Sequence, residues 1–389
     1  MALKKIIKNY FNEQDPYQRA WLEIDAKAIE SNVITLKKII GKKCDLMAVV
    51  KADGYGHGVE TVSKAAILGG ANYLGVATLT EGIQLRKLNI DCPILILGNL
   101  TTPNELDSCI YWNLLPTISS LNDAKTCQEI GSKYGFKFRI HLKVDTGMTR
   151  LGCDLKDAYY FFESILKMDN ICIDGIYSHL AQADGDLDGE AQKVTSKQNE
   201  IFFDLYKKMS MEKDNIIFHL ANSAGTLRDK KLHYNMVRIG LALYGYSPLN
   251  NLQSNIKLKP AMSVKAKITF IREVSANIGV SYGHFFKTKR PSILAVIGIG
   301  YADGVNRSLS GKIYALFQGK YIPQIGLITM DQMILDVTDS PYLKVGDIVT
   351  LLGRDGSNLI PATYWSEISG SILWEILCGF RKRLPRVII

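Results

Sequence analysis

Between about residues 20 and 255, short β-branched runs alternate with longer stretches of helical spacing, and few folds satisfy so regular a pattern. The strand-like runs fall at 45–50, 73–77, 93–97, 114–118, 138–144, 172–179, 216–220 and 236–241. Helical readings lie between them at 59–68, 79–88, 121–134, 155–168 and 191–209. A strand followed by a helix and another strand gives a parallel βαβ unit, because the helix returns the chain to the start of the next strand. Eight such units within about 230 residues match a closed (β/α)8 TIM-like barrel better than an open doubly wound sheet. No Gly-x-Gly-x-x-Gly follows the first strand, and the glycine-rich stretch 51–58 lacks that spacing, which argues against a dinucleotide fold.

After about residue 255 the texture changes. Met262, Val264, Ala266, Ile268 and Phe270 alternate with polar residues, as half-buried strands do. Further strand-like runs follow at 293–299, 312–317, 332–337 and 348–352, and only 364–377 reads as a helix. The expected organisation is an N-terminal barrel over 21–255 and a C-terminal, mainly β domain over 256–389, with residues 1–20 available to pack on the latter.

Composition narrows the function classes. Of 389 residues, 47% are hydrophobic and 22% charged, an ordinary globular balance. No apolar run approaches the roughly 18 residues of a membrane helix. The opening MALKKIIKNYFNEQDPYQRA has no apolar core or small-residue cleavage site, so a cytoplasmic protein without membrane association is expected. Seven cysteines at 44, 92, 109, 127, 153, 172 and 378 show no CxxC spacing, so neither a disulfide framework nor a metal site is expected. The net charge of +9 comes from basic residues spread along the chain, which fits small anionic ligands better than nucleic acid.

In such a barrel the active site forms where strands end and βα loops begin. Lys51 follows the first strand; Lys143 and Asp145 end the fifth, with Arg150 in its loop. His179 ends the sixth, Asn222 and Ser223 the seventh, and Arg238 lies in the last, just before Gly240 and Leu241. So many polar strand ends imply a shared pocket. A lysine amine at the head of an apolar strand is placed to act as a nucleophile towards an aldehyde, forming a Schiff base. Ser223 and the backbone amides near Gly240 and Leu241 supply donors of the kind that hold a phosphate. Pyridoxal phosphate satisfies both features; an aldolase-type lysine without a cofactor satisfies the first.

The stretch Ala48-Val-Val-Lys-Ala-Asp-Gly-Tyr-Gly-His-Gly58 closely resembles the cofactor-lysine motif of bacterial alanine racemases. Further blocks match in order: Lys143-Val-Asp-Thr-Gly-Met-Thr-Arg-Leu-Gly152, Asn222-Ser-Ala224, Val237-Arg-Ile-Gly-Leu-Ala-Leu-Tyr-Gly245, Val280-Ser-Tyr-Gly283, Ile299-Gly-Tyr-Ala-Asp-Gly304 and Met330-Asp-Gln332. The resemblance runs from about residue 20 to the end of the sequence.

The resemblance implies that Lys51 carries pyridoxal 5'-phosphate and that Tyr282, from the β domain of a partner subunit, is the second acid/base, so that a homodimer shares its active sites. Racemisation removes the α-proton from one face and returns one to the other, which requires two carriers. The same resemblance places His179 and Arg238 near Tyr282, and puts Arg238 on the pyridine nitrogen. A guanidinium there leaves the ring nitrogen largely unprotonated, a weaker electron sink than a carboxylate partner gives, which favours racemisation over decarboxylation. Tyr55, Ser223, Gly240 and Leu241 match phosphate-site positions. Arg150 matches the arginine near the substrate carboxylate. Lys143 matches a lysine that is carbamylated in many members; an unmodified lysine bound by Asp145 is the alternative. Tyr301 and the Met330 amide match partner-subunit positions bounding the substrate entrance and carboxylate, with Asp331 supporting that loop.

Two departures stand out. Gly326-Leu-Ile-Thr329 replaces a block with Gly-Arg and a cysteine, and Lys382 stands where some members have a tyrosine near the phosphate. The implied activity is two-base racemisation of L-alanine to D-alanine for peptidoglycan. A serine or broad-specificity racemase is the alternative enzyme. A non-catalytic pyridoxal phosphate-binding barrel protein is disfavoured by the second domain.

Overall fold

The computed structural model describes residues 19–186, 188–249 and 256–389. Expectations for residues 1–18 and for the junction at 250–255 lie outside the described residues. The chain divides into two units, one of 26–54 and 58–260, the other of 19–25, 55–57 and 261–389.

The first unit is built on eight parallel strands: β2 (Asp45–Val49), β3 (Tyr73–Val76), β4 (Ile94–Asn99), β5 (Leu115–Ile118), β6 (Phe138–Lys143), β7 (Ile171–Tyr177), β8 (Ile217–His219) and β9 (Met236–Ile239). Their order is β8-β7-β6-β5-β4-β3-β2-β9, with neighbouring strands parallel throughout. The ring is completed between β8 and β9 by the Asn235 N–H on Phe218 O (3.0 Å) and the Arg238 N–H on Ala221 O (2.9 Å). Met47, Tyr73, Leu95, Leu115, Tyr177 and Met236 cluster as buried core, a set drawn from six different strands. Fully burying each such side chain stabilises by roughly 1.5–3 kcal/mol.

Helices α1 (Ala26–Ile40), α2 (Val59–Leu68), α3 (Leu79–Lys87), α4 (Pro103–Tyr111), α5 (Leu121–Tyr134), α6 (Ala158–Leu166), α7 (Glu190–Glu212) and α8 (Ser223–Arg228) separate the strands. α3 and α4 start with capping boxes, Thr78 with Glu81 and Thr102 with Glu105, the latter followed by Pro103 at the first helical position. α1, α4 and α8 are absent from the sequence reading. The strands agree with it in place; six end one or two residues earlier, β5 ends where expected and β4 runs two residues longer, so His179 stands two residues beyond β7 rather than at its last residue.

The second unit contains a nine-stranded sheet, in the order β18-β17-β14-β15-β16-β13-β10-β1-β19. The long strand β10 (Met262–Val274) pairs with β1 (Ala20–Ile24), β13 (Ser292–Ile297) and β17 (Ile348–Asp355). With β14 (Tyr314–Phe317), β15 (Lys320–Ile325) and β16 (Met333–Asp336), the β10–β17 pairing closes a six-stranded ring, flanked by β18 (Asn358–Ile360) and β19 (Arg386–Ile388). β1 runs antiparallel to β10, from Ala20 opposite Ala266 to Ile24 opposite Met262. Residues 20–24 therefore lie in this sheet, although the sequence reading opens the barrel at residue 21. A separate hairpin joins β11 (Gly279–Val280) and β12 (Phe286–Lys287). The expected helix over 364–377 is two helices, α9 (Ala362–Ser369) and α10 (Leu373–Gly379), because Gly370 adopts the left-handed conformation (φ 69°) that ends α9.

Among the described residues no helix is long and apolar enough to cross a membrane. Nor does any group of three or more His, Cys, Asp or Glu side chains there stand ready to hold a metal ion. All seven cysteines are free thiols.

Candidate active site

Lys51 stands half-buried two residues past β2, at the head of a turn with unusual backbone. Ala52, Asp53, Gly54 and Tyr55 all lie in the left-handed region (φ 53°, 53°, 60° and 52°). For a non-glycine residue that conformation costs roughly 1–2 kcal/mol, so this loop stores several. Three bonds hold it: the Ala52 N–H on Glu81 Oε1 (2.7 Å), the Gly54 N–H on Val50 O (2.9 Å) and the Val59 N–H on Asp53 Oδ1 (2.9 Å). Tyr55 is buried, and burial holds its phenol well above the usual range, so it remains a neutral hydroxyl.

Lys143, the last residue of β6, is buried with its Nζ 5.2 Å from the centre of the Tyr177 ring. Burial, then the Arg238 and Arg150 charges, lower its pKa to about 8. Asp145 does not form an ion pair with it: the Asp145 Oδ1 accepts instead from the N–H groups of Gly147, Met148 and Thr149 at 2.9–3.0 Å, shaping the loop that presents exposed Arg150. The alternative in which Asp145 binds an unmodified Lys143 therefore lacks its contact.

Arg238 is the centre of the arrangement. It is buried within β9, and its Nη1 donates to His219 Nδ1 and His219 O (both 3.0 Å). Its Nη2 lies against Ser178 O (2.7 Å), Leu220 O (3.0 Å) and His179 Nδ1 (3.2 Å). Among the described residues none accepts from its Nε–H. Burial pulls its pKa down to about 10, which still leaves it charged at neutral pH.

Because a guanidinium only donates, both histidines must present Nδ1 as acceptor and carry their proton on Nε2. The His219 Nε2–H then donates to His141 Nδ1 (2.9 Å), leaving His141 protonated on Nε2, where it has no partner. Burial keeps all three rings neutral: His141 falls to about 4, His179 to about 3 and His219 well below its usual value, Arg238 adding to each. His219 stacks on Tyr177 (4.7 Å between centroids, 12°), and a Cβ at Gly175 would lie 2.5 Å from the His141 ring, so only glycine fits there. The sequence reading misses His141 and His219. The signal was present, since His219 is the last residue of β8.

A second polar cluster surrounds Ser223, the first residue of α8. Its Oγ accepts from the Gly240 N–H (2.9 Å) and the Ala242 N–H (3.4 Å), which turns its own hydrogen outward. The Leu241 N–H heads the following 3₁₀ turn, where first-turn amides lack partners inside the turn. These are the donors an oxyanion needs.

Tyr282, Tyr301 and Met330 lie on the second unit. Tyr282 sits at the tip of the β11–β12 hairpin and is 72% exposed. Ser281 before it holds φ 63° and ψ −170°, a region almost reserved for glycine, fixed by its Oγ–H on Leu327 O (2.7 Å). The departing block 326–329 thus supports the Tyr282 loop through a backbone carbonyl. Tyr301 and Met330 are adjacent: the N–H groups of Tyr301 and Ala302 donate to Thr329 O and Met330 O (both 3.0 Å). The Met330 N–H has no acceptor among the described residues. Lys382 is exposed.

Residues 24–248 match the alanine racemase N-terminal domain and 261–388 the alanine racemase C-terminal domain. The chain belongs to the alanine racemase family. An alanine racemase from Prochlorococcus marinus is 55% identical over 378 residues, covering 97% of this chain and 98% of its own. One from a Nostoc species is 46% identical over 374 residues, with 95% and 96% covered. Among solved structures, the Bacillus anthracis racemase with bound L-Ala-P superposes with a TM-score of 0.87 at 34% identity, covering 96% and 95% of the two chains. That from Bartonella henselae, with covalently bound pyridoxal phosphate, gives 0.84 at 31%, covering 95% and 99%.

Alanine racemases depend on pyridoxal phosphate, and the residues of this racemase fit that group. The free Nε–H of Arg238 suits a ring nitrogen acceptor, the outward hydroxyl of Ser223 beside the Leu241 N–H suits a phosphate, and the amine of Lys51 suits an aldehyde.

Proposed function

We propose that the protein interconverts L- and D-alanine with Lys51 and Tyr282 of a partner subunit as the two proton carriers. The observation that carries this reading is the caged Arg238 guanidinium, a charged donor fixed by five acceptors with one N–H unspent. Pyridoxal phosphate, held by Lys51, Tyr55, Ser223, Gly240, Leu241 and Arg238, supplies the conjugated ring that accepts the electron pair left when the substrate loses its α-proton. Arg238 would donate a hydrogen bond to that ring without surrendering its proton, which would leave the group a weaker electron sink than a carboxylate partner would. Lys51's amine takes or returns the α-proton on one face and the phenol of Tyr282 does so on the other. His179, neutral with its Nε2–H turned away from Arg238, is a donor able to steady a phenolate. Arg150 and the Met330 amide receive the substrate carboxylate, and Tyr301 bounds the entrance.

Lys143 supports Arg150 as a carbamate. With a pKa near 8, roughly a tenth of the amine is neutral at pH 7, the form that adds to carbon dioxide, releasing one proton. The partner is a second copy of the chain: Tyr282, Phe285 (82% exposed) and Met330 (52%) are exposed apolar side chains that a homodimer would cover. The product serves peptidoglycan, and the protein works in the cytoplasm.

The deciding experiment follows D-alanine formation from L-alanine with and without added pyridoxal phosphate, alongside serine, lysine and ornithine. A clear preference for any substrate but alanine defeats the proposal in favour of a broader racemase. Cofactor binding without loss of optical rotation restores a non-catalytic reading.

A further inference from the structure

We propose that Asp303 is a positioning residue that, with Arg19, Arg383 and Asp331, clamps the two loops presenting Tyr301 and Met330 and so sets substrate affinity and side-chain selectivity. The inference rests on the reading that Tyr301 and Met330 face the substrate.

Asp303 is completely buried, and besides Gly300 of its own turn its side chain meets arginines from two distant stretches of chain. Arg19 grips it with two parallel bonds, Nη1 on Oδ2 (2.9 Å) and Nη2 on Oδ1 (2.6 Å), while also donating to Gly298 O (2.7 Å). The Gly300 N–H donates to Oδ2 (3.0 Å). Arg383, from the C-terminal segment, brings Nε to 3.5 Å from Oδ1 and with Nη2 reaches Asp331 Oδ1 at 2.6 Å. One carboxylate thus ties together the residue before β1, the exit of β13, the Tyr301 turn and, through Arg383, the residue after Met330.

The loops have no slack of their own. A Cβ on Gly300 would come within 2.2 Å of Thr329 O and 2.5 Å of Met330 O, so the Tyr301 turn lies backbone against backbone on the Met330 loop. The backbone that carries the exposed Tyr301 and Met330 is thereby tied to the buried carboxylate of Asp303. Two guanidinium groups meet two carboxylates, so the cluster is neutral as a whole. Its bidentate geometry specifies direction, which apolar packing of equal volume would not. A shift of a fraction of an ångström in this rim changes the room left for a substrate side chain and the aim of the Met330 N–H.

The test uses the holoenzyme. Arg383 is the accessible member, so Arg383→Gln cuts the tie to Asp331 while leaving the Arg19–Asp303 pair in place; Asp303→Asn and Arg383→Lys accompany it. For Arg383→Gln, KM for L-alanine is expected to rise about 5- to 10-fold with kcat within about 2-fold, since binding geometry rather than proton transfer is disturbed. The alanine-over-serine ratio of kcat/KM is expected to fall about 3-fold or more. Amide hydrogen exchange at Tyr301 and Ala302 should quicken by about 10-fold without a comparable change elsewhere in the sheet. Arg383→Lys should recover part of the KM. Unchanged KM, selectivity and exchange in folded Arg383→Gln overturn the proposal, as does a fall in kcat that matches the rise in KM. Met330→Ala and Tyr301→Phe separate the two readings. If these alter KM or selectivity and Arg383→Gln does not, the clamp is wrong; if they alter neither, the substrate-facing assignment fails and the clamp falls with it.

Discussion

The histidine chain behind Arg238 makes a demanding test of the site, because hydrogen-bond direction alone fixes its energetics. His219→Phe keeps an aromatic ring on Tyr177 but removes two polar contacts, the acceptor for Arg238 Nη1 and the donor to His141 Nδ1. Leaving each buried group unpaired costs about 1–3 kcal/mol, so the variant should lose roughly 2–6 kcal/mol. His141→Phe orphans only the His219 Nε2–H and deletes the Nε2–H of His141, which has no partner already. Its hydrogen-bond cost should therefore be near zero to about 2 kcal/mol, before any crowding against Gly175. The double variant leaves one Arg238 N–H unpaired but neither of the two orphans of the His219–His141 bond, so its loss should fall short of the sum of the single losses by about 2–6 kcal/mol. Urea unfolding followed by far-UV circular dichroism, read at the transition that melts the barrel, measures all four corners of the cycle. Nitrogen-15 spectra of the histidine rings report the tautomers directly. A coupling below about 0.3 kcal/mol, or a proton on Nδ1 of His219, would refute the argument, because the direction of every bond in the chain follows from the donor-only guanidinium.

Other consequences can be measured alongside. Lys51→Ala should abolish borohydride-fixable attachment of pyridoxal phosphate and nearly all turnover; retained attachment means the lysine is misassigned. Tyr282→Phe should slow α-proton exchange chiefly on one face, seen as unequal deuterium incorporation from D2O starting from the two enantiomers. Acid should destabilise the barrel through its neutral histidines. Those rings bind protons in the unfolded chain below about pH 6.5 but not in the folded one until about pH 4 for His141, so stability is full above 6.5. It then falls with pH across that window by up to about 1.4 kcal/mol per pH unit per histidine; a flat midpoint between pH 6.5 and 4.5 contradicts this. Carbamylation of Lys143 should appear as a labelled carbamate carbon in protein equilibrated with 13C-bicarbonate and vanish in Lys143→Ala.

The barrel was legible because its strands are short, apolar and spaced by helices, so periodicity found all eight within two residues. The misses have local causes. α4 carried a readable start in Thr102-Pro103-Asn104-Glu105, a capping box with proline at its first position, but its interior is too polar to show a clear apolar stripe. β15 contains Pro323, which lowers any strand reading, yet the residue is tolerated opposite Tyr314. β1 alternates too briefly to reveal that it pairs with a strand some 240 positions later, an order-of-magnitude separation that only tertiary structure resolves. Gly370 marked the break between α9 and α10 and was overridden by the apolar residues on either side.

The sequence names candidate residues for the site but not their arrangement, and the difference has a physical basis. Strand-end lysines, arginines and histidines announce a polar pocket by type and position. Which groups touch, and which way each proton points, depends on packing across strands that lie far apart in sequence. Asp145 illustrates this: two residues from Lys143, it looks like the natural counterion, yet three backbone N–H groups of its own loop occupy Oδ1. Lys143 is left among Arg238, Arg150 and Lys51, whose charges together with burial outweigh the opposing charge of Asp145, with which it makes no ion pair. Such an amine loses its proton more readily than any lysine on the surface, and acquiring a negative charge there would relieve the repulsion rather than add to it. The same excess of positive charge suits the phosphate and substrate carboxylate of the proposed function, while the neutral histidines keep it from growing at mild acidity. The left-handed backbone at Ala52–Tyr55 and Ser281 lies next to the amine of Lys51 and the phenol of Tyr282, the pair proposed as the two proton carriers.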